Sequence, residues 1–225
     1  MFLGSAVHRG CEIFFKNDAR NLNRAILSAE NFINSKREFS DAEQKSAREN
    51  CEKVLREFFA ENEFPKTAAV EWNLRANLKN FQMCGKVDRV EFTNFATKTA
   101  QIIDFKNQTP QSKNLISGIS PKKDDKNPGR GIRQLLFSAV LAKNISDFPF
   151  RVENFAVQFL KKNPSGKFVK HEFAFSNAEI LNFENEILKT CEKIRAGEFQ
   201  KLQNDDAEKY CEKCPFFEVC FRGEN

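Results

Sequence analysis

Asp88, Asp104 and Lys106 are the residues whose types and spacing could do chemistry on a phosphate. They fall in the stretch Met83–Lys106, MCGKVDRVEFTNFATKTAQIIDFK. Two strand-length apolar runs, Cys84–Phe92 and Thr97–Lys106, flank a short polar turn around Asn94. Their apolar residues are β-branched or aromatic, which predicts a hairpin rather than a helix. Asp88 interrupts the first run, and Asp104 and Lys106 close the second directly after Ile102 and Ile103. Residues two apart on a strand share a face, so Asp104 and Lys106 point the same way. An acid and a lysine at the end of a buried strand, near a second acid on its neighbour, would make a divalent-metal site for phosphate chemistry. The same residues also fit a buried ion pair between Lys106 and one aspartate, with the other acid at the surface.

The flanking chain must position these groups. Gly4–Lys16 predicts a helix, with Val7, Cys11, Phe14 and Phe15 at helical spacing and His8 one turn before Cys11. Taken alone, His8 reads as a structural or exposed histidine. A second helix is expected over Ala19–Ile33. A third starts at Ser40, which forms a capping box with Glu43. Cys51, Val54, Leu55, Phe58 and Phe59 give this helix an apolar stripe, and Pro65 ends it.

Thr67–Lys79 changes period. Val70, Trp72, Leu74, Ala76 and Leu78 alternate with Glu71, Asn73, Arg75, Asn77 and Lys79, the pattern of a half-buried strand. Glu71 falls on its polar face, either as a solvated glutamate or beside whatever the next strands present. Farther on, Ile132–Lys143 predicts a helix with Arg133 and Gln134 near its start. Arg151–Lys161 and Lys167–Phe175 read as strands joined by a turn over Asn163–Gly166. His171 is isolated and expected at the surface. Ser176 and Glu179 cap a last helix with Ile180, Phe183, Ile187, Leu188, Cys191 and Ile194 inward, and Gly197 stops it.

The chain has 225 residues, 40% hydrophobic and 30% charged, enough for one sizeable core or for a core with a small appendage. No apolar run reaches the length of a membrane span. The start, MFLGSAVHRGCE, lacks a basic leader and a long apolar segment, so a secretory signal is not expected. A net charge of +5 permits a nucleic-acid partner without requiring one. Seven cysteines, an odd number, argue against a disulfide framework and for a reducing, cytoplasmic setting. There is no Gly-rich phosphate loop, which excludes a nucleotide-driven motor in this stretch. The 25 phenylalanines against one tyrosine and one tryptophan have no explanation in the sequence alone.

Two further segments could bind something. Asn107–Gly131 is long and polar and leaves directly from Lys106, so it would hang over a site there. Its Lys122, Lys123, Lys126 and Arg130, together with Lys113, either track a nucleic-acid backbone or belong to a solvated loop. In the tail YCEKCPFFEVCFRG, Cys211, Cys214 and Cys220 follow a C-x2-C-x5-C spacing with phenylalanines between them. Three thiolates are one short of a zinc site or an iron–sulfur cubane. The alternative is an unligated aromatic plug.

Taken in order, Gly4-x3-His8, Glu71, the GKVDRVE around Asp88, the IIDFK holding Asp104 and Lys106, Gln134 in RQLLF, and the cysteine tail resemble the RecB-like branch of the PD-(D/E)XK nuclease superfamily. The phrasing is similar to the nuclease domains of AddB-type helicase–nuclease subunits, and CRISPR-associated single-strand exonucleases share the layout. The resemblance covers nearly the whole chain. It implies an α/β fold with a restriction-endonuclease-like core, a mixed central sheet flanked by helices. The expected division is a nuclease domain over 1–200 and an iron–sulfur-type tail over 201–225.

The resemblance also implies roles. His8, Asp88 and Asp104 would hold Mg²⁺ or Mn²⁺, Lys106 and Glu71 would assist, and Gln134 would orient the lysine or the substrate. The family's tyrosine one turn after the glutamine is replaced by Phe137 and Ser138. A 4Fe–4S cluster on Cys211, Cys214 and Cys220 would take its fourth cysteine from upstream of the Gly4–His8 helix, so either this chain is a fragment, which is the expectation, or another cysteine substitutes, or no cluster forms. Cys11 shares a face with His8 and substitutes poorly. The implied activity is metal-dependent hydrolysis of DNA phosphodiesters, on single-stranded ends and beside a helicase partner in repair or recombination. The rivals are a catalytically silent DNA-binding module and a small zinc-binding interaction protein.

Overall fold

The computed structural model describes residues 2–16, 20–120, 129–198, 211, 214 and 215. Two compact units divide the chain, Met1–Phe183 and Glu184–Asn225. The expected boundary after residue 200 lies outside the described residues.

The first unit opens with three helices, α1 (Phe2–Lys16), α2 (Leu22–Asn34) and α3 (Asp41–Glu61). Local chemistry sets the starts of α2 and α3. The Asn21 side chain accepts from the Arg24 amide to begin α2, and both bonds of the Ser40–Glu43 capping box are made at α3. Five strands follow: β1 (Thr67–Leu78), β2 (Phe81–Asn94), β3 (Thr99–Lys106), β4 (Arg151–Phe159) and β5 (Lys170–Phe173). They form one mixed sheet in the order β1-β2-β3-β4-β5. Only β3 and β4 run parallel, and the connection between them carries α4 (Lys113–Ser117) and α5 (Arg130–Lys143). The expected α/β fold, a mixed sheet flanked by helices, is the one observed.

β3 is the central strand, buried along nearly its whole length, which explains its apolar Ile102, Ile103 and Phe105 on both sides of Asp104. Ile103 and Phe105 join Phe14, Phe15, Phe58 and Phe59 of α1 and α3 in one core. Rings interlock there: Phe14 stacks on Phe59 with centroids 3.6 Å apart, and Phe15 lies parallel to Phe105 at 6.0 Å. Much of the phenylalanine excess therefore fills the space between α1–α3 and the sheet. Helix α5 lies against β1, β2 and β4. Gly85 on β2 lets this contact close, since a Cβ there would fall 2.5 Å from Leu141 Cδ1.

Several expectations are corrected. Asn107–Gly131 is not loop throughout, because Ser112 caps the short α4 and Gly118, at φ 74°, ends it. Helix α5 begins at Arg130, two residues before the expected start, and α2 begins at Leu22. Strands β4 and β5 are shorter than read, since the turn held by the Asn163 side chain and Gly166 takes up the residues between them. His171 is half-buried, its Nε2 2.9 Å from the Gln111 carbonyl. Helix α6 (Asn177–Arg195) has its Ser176–Glu179 capping box and stops at Gly197, but Ile194 is 57% exposed rather than inward. The clean alternation of β1 also fails. Val70 packs on the α1–α3 core, whereas Trp72 stacks on Phe148 at 5.3 Å in a separate aromatic group. The break lies between them, at Glu71, whose φ of 47° is left-handed.

Candidate active site

Hydrogen-bond pairing of β2 with β3 reaches only Arg89↔Ile103 at this end. The Phe105 amide would be orphaned beyond it, and the Asp88 Oδ2 accepts its hydrogen bond at 2.7 Å. That bond holds Asp88 at the fork between the strands. On β3, Asp104 and Lys106 do share a face, with Lys106 Nζ 2.7 Å from Asp104 Oδ2. Gln134, in the first turns of α5, spans them both. Its Nε2 donates to Asp104 Oδ1 at 2.6 Å, and its Oε1 accepts from Lys106 Nζ at 2.7 Å. Asp104 Oδ2 is buried and has no aligned hydrogen-bond donor, so Lys106 neutralises it as an ion pair only.

Helix α1 supplies the other side. His8 Nδ1 lies 3.4 Å from Asp88 Oδ1 and 3.8 Å from Glu71 Oε1. Lys86, two residues before Asp88 on β2, forms an ion pair with Glu71 Oε2. The left-handed backbone at Glu71 places this carboxylate in the group, a strained conformation of the kind found at functional sites. A cleft of about 360 Å³ opens here, lined by His8, Arg9, Glu12, Glu71, Lys86 and Asp88 among others.

The electrostatics follow from burial and crowding. Burial alone would lower the pKa of His8, but Asp88 and Glu71 outweigh it and raise it to about 10, so the imidazole is protonated at neutral pH. Burial would raise Glu71, yet the adjacent His8 and Lys86 hold its carboxyl below the ordinary value. Glu71 in turn raises Lys86. Asp104 is pushed up to about 6 by burial, with Lys106 opposing and the charge of Asp88 adding to the rise.

His8, Glu71 and Asp88 each offer a donor atom, and the three atoms lie within 4.8 Å of one another. Two carboxylates and an imidazole suit Mg²⁺ or Mn²⁺, so this donor set fits a divalent cation. Sequence reading expected Asp104 as the third ligand and Glu71 as a helper. In the structure Glu71 stands in the converging group, and Asp104 is engaged by Gln134 and Lys106. Lys86 went unnoticed in the sequence, although its place two residues before Asp88 put it on the same strand face.

Of the loop cations, Arg130 is exposed at the start of α5, Lys113 lies over the Phe173 ring at 5.0 Å, and Lys122, Lys123 and Lys126 are outside the described residues. In the tail, Cys211 and Cys214 are unbridged and half-buried, with the Cys214 amide donating to the Cys211 carbonyl at 2.9 Å. Cys220 is outside the described residues. No helix among the described residues is long and apolar enough to cross a membrane.

A family model of the PD-(D/E)XK nuclease superfamily matches residues 2–221. The chain belongs to that superfamily. Comparison with curated proteins found no match. Among solved structures, the crystal structure of SSO0001 is similar at 13% identity over 97% of this chain and 84% of that one, with a TM-score of 0.34. So low a score adds nothing to the family assignment.

Proposed function

We propose that this chain is a metal-dependent deoxyribonuclease, and the observation that carries the reading is the convergence of His8, Glu71 and Asp88 beside the Asp104–Lys106–Gln134 bridge. His8, Glu71 and Asp88 would hold Mg²⁺ or Mn²⁺, with Asp104 adjoining them. A divalent cation bound there supplies a water of lowered pKa and polarises a phosphoryl oxygen. Lys106, fixed by Asp104 and Gln134, presents a positive charge where negative charge grows on the phosphate. Gln134 keeps the lysine from swinging away, and the Phe105 amide keeps Asp88 turned into the cleft.

The finer assignment rests on the ordered motifs. By their phrasing the chain is the nuclease module of an AddB-type helicase–nuclease system acting on single-stranded DNA ends in repair or recombination, within the cytoplasm. Cys211, Cys214 and Cys220 would then serve a 4Fe–4S cluster, and Lys122, Lys123, Lys126 and Arg130 would follow the DNA backbone.

The test is cleavage of labelled single- and double-stranded DNA by anaerobically purified protein with Mg²⁺, with Mn²⁺ and with EDTA, beside Asp104→Ala. Cation-dependent cutting lost in the variant is expected. Folded protein that binds DNA but never cuts it would replace the enzyme by a silent binding module.

A further inference from the structure

Strands β1 and β2 continue outward from the site as a two-stranded ribbon with two unlike faces. Leu74, Ala76, Leu78, Met83 and Val87 are buried on one of them. That face is held down, because Gly85 brings the ribbon against Leu141 and Phe137 of α5. The other face is exposed and reads across the ladder as Asn73↔Lys86, Arg75↔Cys84 and Asn77↔Gln82, with Lys79 at the tip. Glu71 and Asp88 stand at its inner end, at the cleft.

The composition of this outer face is one-sided. Between the cleft and the tip it presents cations, amides and the Cys84 thiol and no carboxylate, in a chain that is 30% charged with both signs well represented. Arg75 and Lys79 have no ion pair among the described residues, and Lys86 is paired only at the inner end, to Glu71. From Glu71 to Leu78 the strand covers roughly 23 Å. Cations neutralise phosphates, and amides can both donate and accept, so the face suits a polyanionic strand laid along it.

We propose that the outer face of the β1–β2 ribbon is the track on which the substrate strand lies as it enters the cleft, with Lys79, Arg75 and Lys86 contacting successive parts of its phosphate backbone. The inference deepens the nuclease reading and rests on it for the direction of the track, toward Glu71 and Asp88. Nothing acidic interrupts the path until the strand meets the groups that would hold the cation. The occupant is a nucleic-acid strand, since a protein ligand would need an apolar anchor that this face lacks.

The experiment is fluorescence anisotropy of a labelled single-stranded oligonucleotide in Ca²⁺ across a salt series, comparing wild type with Arg75→Gln/Lys79→Gln. A control, Lys45→Gln/Lys53→Gln, removes the same charge from the exposed surface of α3. Loss of two phosphate contacts should reduce the slope of log K against log salt by about 1.4 and weaken binding roughly tenfold at low salt. In cleavage assays KM should rise in the ribbon variant and stay unchanged in the control. An unchanged slope in the ribbon variant, or an equal change in the control, overturns the track. Wild type that binds with the expected slope difference but does not cut keeps the track and sinks the nuclease reading. Wild type that binds no DNA removes both. All four positions are exposed, and matching thermal melts would show that the variants fold.

Discussion

Asp88 and Arg89 are neighbours on β2, yet they enter two charged clusters of opposite character. Arg89 is 2% exposed. Its Nη1 lies 2.8 Å from Glu91 Oε2, its Nη2 donates to the Pro65 carbonyl at 3.0 Å, and its Nε donates to Thr67 Oγ1 at 3.3 Å. The guanidinium rests 4.0 Å from the Phe15 centroid, and Lys170 donates to the other oxygen of Glu91 at 2.6 Å. Burial lowers the Arg89 pKa to about 10, which still leaves it charged at neutral pH. The cluster around Asp88 holds similar residue types in a different condition. Asp104 Oδ2 is buried without an aligned donor, Glu71 sits on left-handed backbone, and the group opens on a cleft. Charge density does not distinguish the two. Satisfaction does, since Arg89, Glu91 and Lys170 also line a cavity of about 190 Å³: a fully bonded network specifies a fold, while an under-bonded one is available to a ligand.

Exchanging one residue in each cluster tests this contrast most severely. Asp104→Asn should cut cleavage roughly a hundred- to a thousandfold, the scale seen when a group that stabilises a transition state is removed. Its melting temperature should stay level or rise, because burial makes the Asp104 charge unfavourable in the folded, metal-free protein. Arg89→Met should do the reverse. Leaving Glu91 in the interior with Lys170 as its one remaining cation costs about 3 kcal/mol, or roughly 10 °C in Tm, while the molecules that remain folded cut at nearly the normal rate. Single-turnover cleavage and thermal melts on both proteins decide the matter. A destabilised Asp104→Asn, or a folded but inactive Arg89→Met, would break the distinction.

What could be read from the sequence was what short-range geometry governs. Ser40 with Glu43 and Ser176 with Glu179 announce their helices because each bond spans three residues. Asp104 and Lys106 share a face because strands have a period of two. Convergence across the chain was visible only by resemblance: nothing local says that His8 on α1 meets Asp88, or that Gln134 bridges Asp104 and Lys106. The reversal at Glu71 escaped altogether, since one left-handed residue turns a regular alternation into two faces without changing the pattern of letters. The Arg89 network was equally hidden. Its partners Thr67 and Glu91 lie on β1 and β2 and Lys170 on β5, so a motif reading took the segment for catalysis alone.

Gln134 offers a smaller perturbation inside the open cluster. Gln134→Ala removes both ends of the bridge but neither charge, so Lys106 and Asp104 keep their ion pair in a looser geometry. Cleavage should fall about tenfold, as expected for a lost positioning contact, while cation affinity changes little. Isothermal titration with Mn²⁺ beside cleavage rates separates the two effects. An equal loss of cation binding would mean that Gln134 shapes the ligand group itself.

The smallest effect concerns the proton on His8. Its folded pKa, about 10, lies above the unfolded value of about 6.5. The imidazolium therefore stabilises the metal-free fold fully below pH 6.5, and that contribution drains away as pH rises toward 10. His8→Asn should melt lower than wild type near pH 6.5 in EDTA, by about 1 kcal/mol once partial solvent screening is allowed for. The gap should close toward pH 10. A divalent cation reverses the sign of the argument, because His8 must give up its proton to act as a ligand. With Mn²⁺ present, wild type should gain stability over the variant as pH rises, accompanied by release of up to one proton per cation bound at pH 7.5. A gap that stays constant with pH in EDTA would mean that His8 is neutral between its two acids, leaving the open cluster with uncompensated negative charge before any cation arrives.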